Sequence, residues 1–165
     1  MLERLRAEIA RRPVGTAIAI AYVALRLIPA VTHAAGITPD SAEYLGGLTL
    51  RARPPFVPFV YSLLGNNVRR IAFVQGTGGA LCWLALAEAA RRLAHTRVAK
   101  GFMVATILLI GLCDIVDRWD SAMLSESISI SLGALLIACV LFYAQRPRRA
   151  SLVALLLVAA LWALS

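Results

Sequence analysis

Long apolar runs recur along the chain and are separated by short stretches that hold most of its charge. A helix needs roughly 20 apolar residues to cross a hydrocarbon core about 30 Å thick. Hydrophobic residues make up 60% of the 165 residues, whereas ordinary soluble domains have about 45–50%. These features predict an all-α integral membrane protein, a single polytopic domain over residues 1–165 with four to five transmembrane helices. The predicted spans cover approximately residues 13–35, 69–89, 98–113, 121–143 and 150–164, of which the last is the shortest.

The basic residues are distributed unevenly between the segments that connect these spans. If the N-terminus lies in the cytoplasm, eleven Lys and Arg residues fall in inner segments, five fall in outer segments or at their edges, and Arg26 lies inside the first span. This excess is the positive-inside pattern, so the net charge of +8 does not indicate a nucleic-acid partner. We predict a multi-pass protein of the cytoplasmic (inner) membrane with a cytoplasmic N-terminus. The loop 36–68 and the segment DIVDRWD (Asp114–Asp120) then face outside.

The first part of this outer loop contains two carboxylates in a helix-like stretch. Asp40 is followed three residues later by Glu43, which is the spacing of a helix capping box. The run after Asp40 places Ala42, Leu45 and Leu48 on one side, which is typical of a helix that lies on a membrane surface. From local sequence alone, Asp40 is equally well interpreted as a helix cap and as a functional acid.

The second part of the loop combines two arginines with prolines. Arg51 and Arg53 precede Pro54, Pro55 and Pro58. Arginine binds phosphate through its planar fork, although the same two residues could contact lipid headgroups without specificity. We expect the prolines to prevent a regular helix through residues 53–58. The run FVPFVYSLLG is too short to cross a bilayer, so we expect it to lie in the interface or to pack beneath a groove.

The segment DIVDRWD carries three carboxylates at three-residue spacing. Asp114, Asp117 and Asp120 could hold a hard divalent cation through oxygen ligands. They could equally form a solvated turn in which Asp120 caps the following span. Arg118 lies between them and adds a further outer cation.

A single carboxylate also enters the fourth span. Glu126 lies in MLSESISIS, about one and a half turns from the predicted start of that span. An ionisable group inside a span is costly and often marks a functional site. The alternative is a structural ion pair with Arg26 or with an outer arginine. The neighbouring serines could serve helix packing.

Four motifs in this order resemble those of a known family. They are PDSAEYLGGLTL, RPPFVPFVYSLLG, Gln75 and LSESISISLGALLIA. Together they are similar to the N-terminal part of polyprenyl-phosphate-sugar-dependent glycosyltransferases of the GT-C fold, such as bacterial relatives of protein mannosyltransferases and lipid A aminoarabinose transferases. The resemblance covers about residues 14–143, and its motifs are short and degenerate. It implies an outer-face interfacial helix and a proline-rich segment after the first span.

This resemblance implies inverting transfer of a sugar from a polyprenyl-phosphate donor to an acceptor at the outer face. Asp40 corresponds to the family's first-loop catalytic acid and would act as the general base. A divalent cation is an open possibility, with Asp114, Asp117 and Asp120 as its candidate ligands. The residues expected to bind substrate are Glu43, Arg51, Arg53, Arg118 and Glu126.

The chain differs from that family in length, because its members usually have many more spans. The resemblance therefore implies part of a longer enzyme, or one half of a split enzyme that needs a second multi-span subunit. A non-catalytic membrane subunit or a truncated remnant is the alternative function. A small transporter component is less well supported, because transporters usually place polar groups near the bilayer midplane. Here the polar groups concentrate at one face.

Overall fold

The computed structural model describes residues 13–32, 56–113, 116 and 125–165. Within these ranges all regular secondary structure is helical, which confirms the predicted all-α class. Each of the five predicted apolar segments contains a long helix, and a short helix precedes the second segment. In chain order, the helices of the described part are α1 (Pro13–Thr32), α2 (Phe56–Leu63), α3 (Val68–Leu93), α4 (Arg97–Gly111), α5 (Ser125–Gln145) and α6 (Arg149–Ala163).

Two helices in the described ranges are long and apolar enough to cross a membrane. They cover Val68–Leu93, with 26 residues, and Glu126–Gln145, with 20 residues. Within α1 the apolar stretch Pro13–Ile28 is shorter, as is the helix Arg149–Ala163. A helix of 15 residues, such as α6, is only about 22 Å long at a rise of 1.5 Å per residue. The larger number of spans therefore stays a prediction.

The longest helix, α3, lies at the centre of the bundle. It packs against α1, α4 and α5, and α6 packs against α5. The main buried cluster draws on four helices: Tyr22 of α1, Ala80, Trp83 and Leu86 of α3, Leu108 of α4, and Ala134 and Ala138 of α5. Because one core joins these four helices, α3 sets the position of the other three.

Small residues let α3 approach its neighbours closely. Its buried positions include Ala72, Gly76, Gly79, Ala80, Ala87 and Ala89. A Cβ added at Gly76 would lie 3.4 Å from the backbone oxygen of Arg26 in α1. Many large apolar side chains lie on the outside instead. Val98 is 83% exposed and Phe102 is 72% exposed, and α6 contains no buried residue. The bundle thus leaves much of its large apolar surface uncovered.

Contacts at both ends establish that α3 and α5 run in the same direction. Gln145, the last residue of α5, donates from Nε2 to the carbonyl oxygen of Ala89, near the end of α3, at 3.0 Å. Near the starts of the two helices, Ile71 and Ile128 pack into one apolar cluster. We call the end where α3 and α5 begin the proline end, because α2 with its buried Pro58 packs there. The opposite end is called the arginine end.

The last helix, α6, runs opposite to α5 and finishes at the proline end. Trp162 donates from its indole nitrogen to the carbonyl oxygen of Ser129 at 3.1 Å, and the hydroxyls of Ser129 and Ser165 are 3.0 Å apart. Gly133 faces the same indole nitrogen, since a Cβ added there would lie 3.5 Å from it. These contacts align the end of α6 with the first part of α5.

A glycine allows three helices to converge beside the middle of α3. Gly111 is the last residue of α4, and the fully buried guanidinium of Arg26 donates a hydrogen bond to its carbonyl oxygen. A Cβ at this position would overlap the hydroxyl of Tyr22 and would lie 3.0 Å from Cδ2 of Trp83. Any larger residue must therefore displace buried neighbours from α1 and α3.

The short helix α2 corrects one expectation about the prolines. We expected no regular helix through residues 53–58, yet a helix begins at Phe56 and includes Pro58. Pro58 lies in the first turn, where backbone N–H groups have no intrahelical acceptor, so its missing N–H costs little. After α2 the chain reverses through Gly65 and Asn66, both with positive φ (67° and 52°). Asn67 then caps α3 by accepting a hydrogen bond from the backbone N–H of Arg70.

Candidate functional site

A cavity of about 170 Å³ lies at the proline end, between α2, α3 and α5. Most of its lining is apolar. The α2 side and the turn contribute Phe56, Val60, Tyr61 and Leu64. The helix α3 contributes Ile71, Val74, Gln75, Gly78, Gly79 and Cys82. The helix α5 contributes Ser127, Ile128, Ser131 and Leu132. Three separate regions of the sequence therefore meet around one cavity.

The short helix α2 covers the cavity because its apolar face packs inward. Val57 and Tyr61 are fully buried and form a small cluster with Ile71. Pro58 is buried beside them, whereas Phe59 on the opposite face is 49% exposed. The apolar face of this amphipathic helix thus forms one wall of the cavity.

A few polar groups line the otherwise apolar cavity. The Nε2 atom of Gln75 donates a hydrogen bond to the Tyr61 hydroxyl at 3.0 Å, and both side chains are buried. Ser127 and Ser131, four residues apart on α5, are also buried and lie on the same helix face. An apolar cleft with a few fixed polar groups is the usual form of a small-molecule or lipid site.

Glu126 is the one predicted site residue within the described part of the chain. It lies in the first turn of the described α5 and is half-buried. Its neighbour in sequence, Ser127, lines the cavity. A carboxylate in the first turn also interacts favourably with the helix dipole. Its position is thus compatible with both a structural and a binding role.

The other predicted site residues lie outside the described ranges. They are Asp40, Glu43, Arg51, Arg53, Asp114, Asp117, Arg118 and Asp120. Their roles, including that of the three aspartates as cation ligands, stay predictions. Among the residues that the structure describes, no group of three or more His, Cys, Asp or Glu side chains could hold a metal ion.

None of the residues that line the cavity was among the predicted site residues, including the hydrogen-bonded pair Gln75 and Tyr61. The sequence places Gln75 in one of the family-like motifs and Tyr61 in the apolar run FVPFVYSLLG, and it indicates no binding role for either residue. A buried amide in an apolar helix is a detectable signal, because it must find a hydrogen-bond partner. The identity of that partner was not detectable, since it depends on how α2 folds back over α3.

No protein-family model matches the chain, and no curated protein or solved structure is detectably similar to it.

Proposed function

We propose that this chain is a multi-span protein of the cytoplasmic membrane that takes part in sugar transfer from a polyprenyl-phosphate donor to an acceptor at the outer face. The observation that carries the proposal is the cavity at the proline end. Three of the four motifs that resemble the glycosyltransferase family contribute to its lining: RPPFVPFVYSLLG through Tyr61, α3 through Gln75, and LSESISIS through Ser127. These motifs are far apart in sequence, and all three contribute to the wall of one cavity. We therefore place the lipid donor there.

The distribution of apolar side chains supports the membrane part of the proposal. Helices that pack within lipid use small residues at their contacts and expose large apolar ones. In this bundle, alanines and glycines occupy many buried positions of α3, and Leu156 and Leu157 on α6 are each 61% exposed. Soluble proteins expose scattered apolar side chains, but large apolar patches on their surfaces are uncommon.

The lining of the cavity suits part of a prenyl chain. Apolar side chains from α2, α3 and α5 surround it, and they would gain free energy by covering hydrocarbon. The Gln75–Tyr61 hydrogen bond satisfies two polar groups within the wall. The sugar-phosphate group would then lie beyond the cavity, on the side of the outer loop 36–68.

In this proposal the chemistry is carried by the outer loop 36–68 together with Arg118 and Glu126. Asp40 accepts the proton of the acceptor hydroxyl as that oxygen attacks the anomeric carbon. The bond between that carbon and the phosphate oxygen breaks, the phosphate keeps the electron pair, and the configuration inverts. Cations stabilise the growing negative charge of the leaving phosphate; Arg51, Arg53 and Arg118 would supply them. Glu126 would orient the sugar or one of these arginines.

The first test measures binding of the lipid carrier to the full chain in detergent micelles. Gly78 lines the cavity, and Gly101 lies on α4 away from it; an added Cβ meets nothing within 4 Å at either position. We expect Gly78→Leu to weaken binding of a short polyprenyl phosphate by about tenfold or more, because each buried CH₂ contributes about 0.8 kcal/mol. Gly101→Leu is the matched control and should bind as the unmodified chain does. Equal binding by both variants would remove the cavity from the proposal.

The second test measures transfer with a labelled lipid-linked sugar in membranes. Asp40→Asn should abolish transfer while leaving the amount of membrane-inserted protein unchanged. Near-normal transfer by this variant contradicts the base assignment. If the unmodified chain binds the carrier but transfers sugar only with a second multi-span subunit, the chain is one half of a split enzyme. Carrier binding without transfer under any condition would favour the non-catalytic subunit.

A further inference from the structure

A second, larger cavity lies at the arginine end, opposite the proposed sugar-transfer site. Its volume is about 500 Å³, within the usual range of roughly 300–1,000 Å³ for ligand sites. It is formed where α3 and α5 end and α4 begins. The lining residues are Glu88, Arg91, Arg92, Lys100, Gln145 and Arg146.

Positive charge exceeds negative charge in this cavity. Four of the six lining residues are cationic and only Glu88 is anionic. Lys100 and Arg146 form no ion pair with any carboxylate in the described part of the chain. Like charges that converge in a partly buried site repel each other more strongly than in bulk water. The arrangement therefore favours a bound anion.

The single carboxylate organises two of the arginines. Glu88 accepts hydrogen bonds from Nε and Nη2 of Arg91 at 2.6 and 2.8 Å, and from Nε of Arg92 at 2.8 Å. The guanidinium of Arg92 also stacks over the ring of Phe142, 5.1 Å from its centroid. The bonds to Glu88 leave Nη1 of Arg91 and both terminal nitrogens of Arg92 available to another acceptor. Glu88 thus fixes the positions of two guanidinium groups that keep further N–H donors for a ligand.

A hydrogen bond between α5 and α3 holds one side of the cavity in place. Gln145 donates to the carbonyl oxygen of Ala89, which ties the end of α5 to the end of α3. Arg146 follows Gln145 directly, so this contact also brings its backbone to the cavity. Lys100 arrives from the first turns of α4, whose start is capped by Thr96. Cationic side chains from α3, from α4 and from the end of α5 therefore line the same cavity.

We propose that the cavity at the arginine end binds a phosphate group. Arginine forks match the oxygens of phosphate, and a lysine adds a compact charge beside them. A volume of about 500 Å³ suits one headgroup rather than an extended polyanion. The phosphate is supplied by an acidic phospholipid headgroup or by a free phosphate compound. Acidic lipids are abundant on the cytoplasmic side of membranes, and basic pockets there bind their headgroups. This site does not depend on the sugar-transfer proposal.

The experiment compares ligands on the purified full chain in a non-ionic detergent. Native mass spectrometry counts the retained molecules of phosphatidylglycerol and of phosphatidylcholine with identical acyl chains. Thermal unfolding in the presence of inorganic phosphate, with chloride at equal ionic strength as reference, tests the free anion. Preferential retention of phosphatidylglycerol without a phosphate effect identifies a lipid headgroup. A phosphate-dependent rise in the unfolding temperature identifies a free phosphate. Equal retention of both lipids together with no phosphate effect overturns the proposal.

Two double variants of equal charge locate the site. Lys100→Gln with Arg146→Gln should weaken phosphatidylglycerol or phosphate binding by about tenfold or more, since two charge-assisted hydrogen bonds are lost. Arg148→Gln with Arg149→Gln removes the same charge just outside the cavity and should change binding less than about twofold. Equal losses in the two variants would mean diffuse attraction and would overturn a defined site.

A milder substitution tests the site even if the double variant at Lys100 and Arg146 misfolds. Arg92→Lys keeps the charge but loses the planar fork. We expect it to bind phosphate more weakly than the unmodified chain and to keep the same far-UV circular dichroism. Unchanged binding contradicts a role for the Arg92 fork. The cavity variant Gly78→Leu should leave this binding intact, which separates the two ends of the molecule.

Discussion

The two ends of the bundle differ in the charge and the pairing of the polar side chains that line their cavities. At the proline end, the polar cavity residues are uncharged, and Gln75 and Tyr61 pair with each other inside an apolar wall. At the arginine end, the lining is mostly charged, and its one carboxylate pairs with two of the four cations. The first cavity is complete without a charged partner and suits hydrocarbon. The second retains an excess of positive charge and suits an anion.

The difference also explains which contacts should depend on salt. A buried hydrogen bond between neutral groups is insensitive to ionic strength, whereas half-exposed ion pairs are screened. The side chains of Glu88 and Arg92 are 33% and 50% exposed. Stability measurements at two salt concentrations can therefore distinguish the ends without any ligand. Three substitutions test this comparison, in order of decreasing expected effect.

The largest effect is expected between the two ends, where α1, α3 and α4 converge beside the middle of α3. Gly111→Ala should lower the free energy of unfolding by about 1–3 kcal/mol, because the added methyl group forces Tyr22 and Trp83 to move. Gly101→Ala on the same helix is the control, since its Cβ meets nothing within 4 Å, and should be neutral or stabilising. Denaturant or thermal unfolding in micelles measures both. A stable Gly111→Ala protein would mean that the three helices are not packed as described.

An intermediate effect is expected from the neutral pair in the cavity wall. Tyr61→Phe removes the acceptor for Nε2 of Gln75 and should cost about 1–2 kcal/mol. The loss should be the same in 50 mM and 500 mM salt (on the order of a tenfold range), because no charge is involved. Tyr143→Phe on α5 is a matched control, since that hydroxyl makes no hydrogen bond to another described residue. Equal stability of the two variants would argue against the Gln75–Tyr61 bond.

The smallest effect is expected from the ion-pair network at the arginine end. Glu88→Gln should destabilise the protein by about 1 kcal/mol at low salt, because the cations lose their only carboxylate within the described cavity. The loss should shrink as salt is added, in contrast to that of Tyr61→Phe. Unfolding curves across a salt series measure the difference. A loss that grows with salt would contradict an electrostatic origin.

The sequence predicted the elements of the fold better than their contacts. The apolar runs around α3 and α5 mark both helices to within a few residues. These features depend on local composition alone. The helix α2 was missed because its proline was interpreted as a helix breaker, although its position in the first turn makes it harmless.

The sites depend on contacts that no local pattern contains. Gln75 and Tyr61 meet only because the turn at Gly65 and Asn66 folds α2 back onto α3. The cations of the arginine end were predicted only as charges of the inner segments. Their convergence requires α3 and α5 to run in parallel, which brings Glu88 and Arg146 together across more than 50 residues of chain. Of the predicted site residues, Glu126 can be assigned to the proline end, and the roles of the others remain predictions.

The central position of α3 also has a consequence for how the chain assembles. Each later helix packs on one that has already been synthesised: α3 on α1, α4 and α5 on α3, and α6 on α5. Each of these four helices can therefore dock onto a surface that is already present, whereas α2 packs only after α3 has been made. The arginine end is completed only when α5 ends and Gln145 reaches Ala89. The convergence of cations at this end is thus a late product of assembly, which forms only after α1, α3 and α4 have been made.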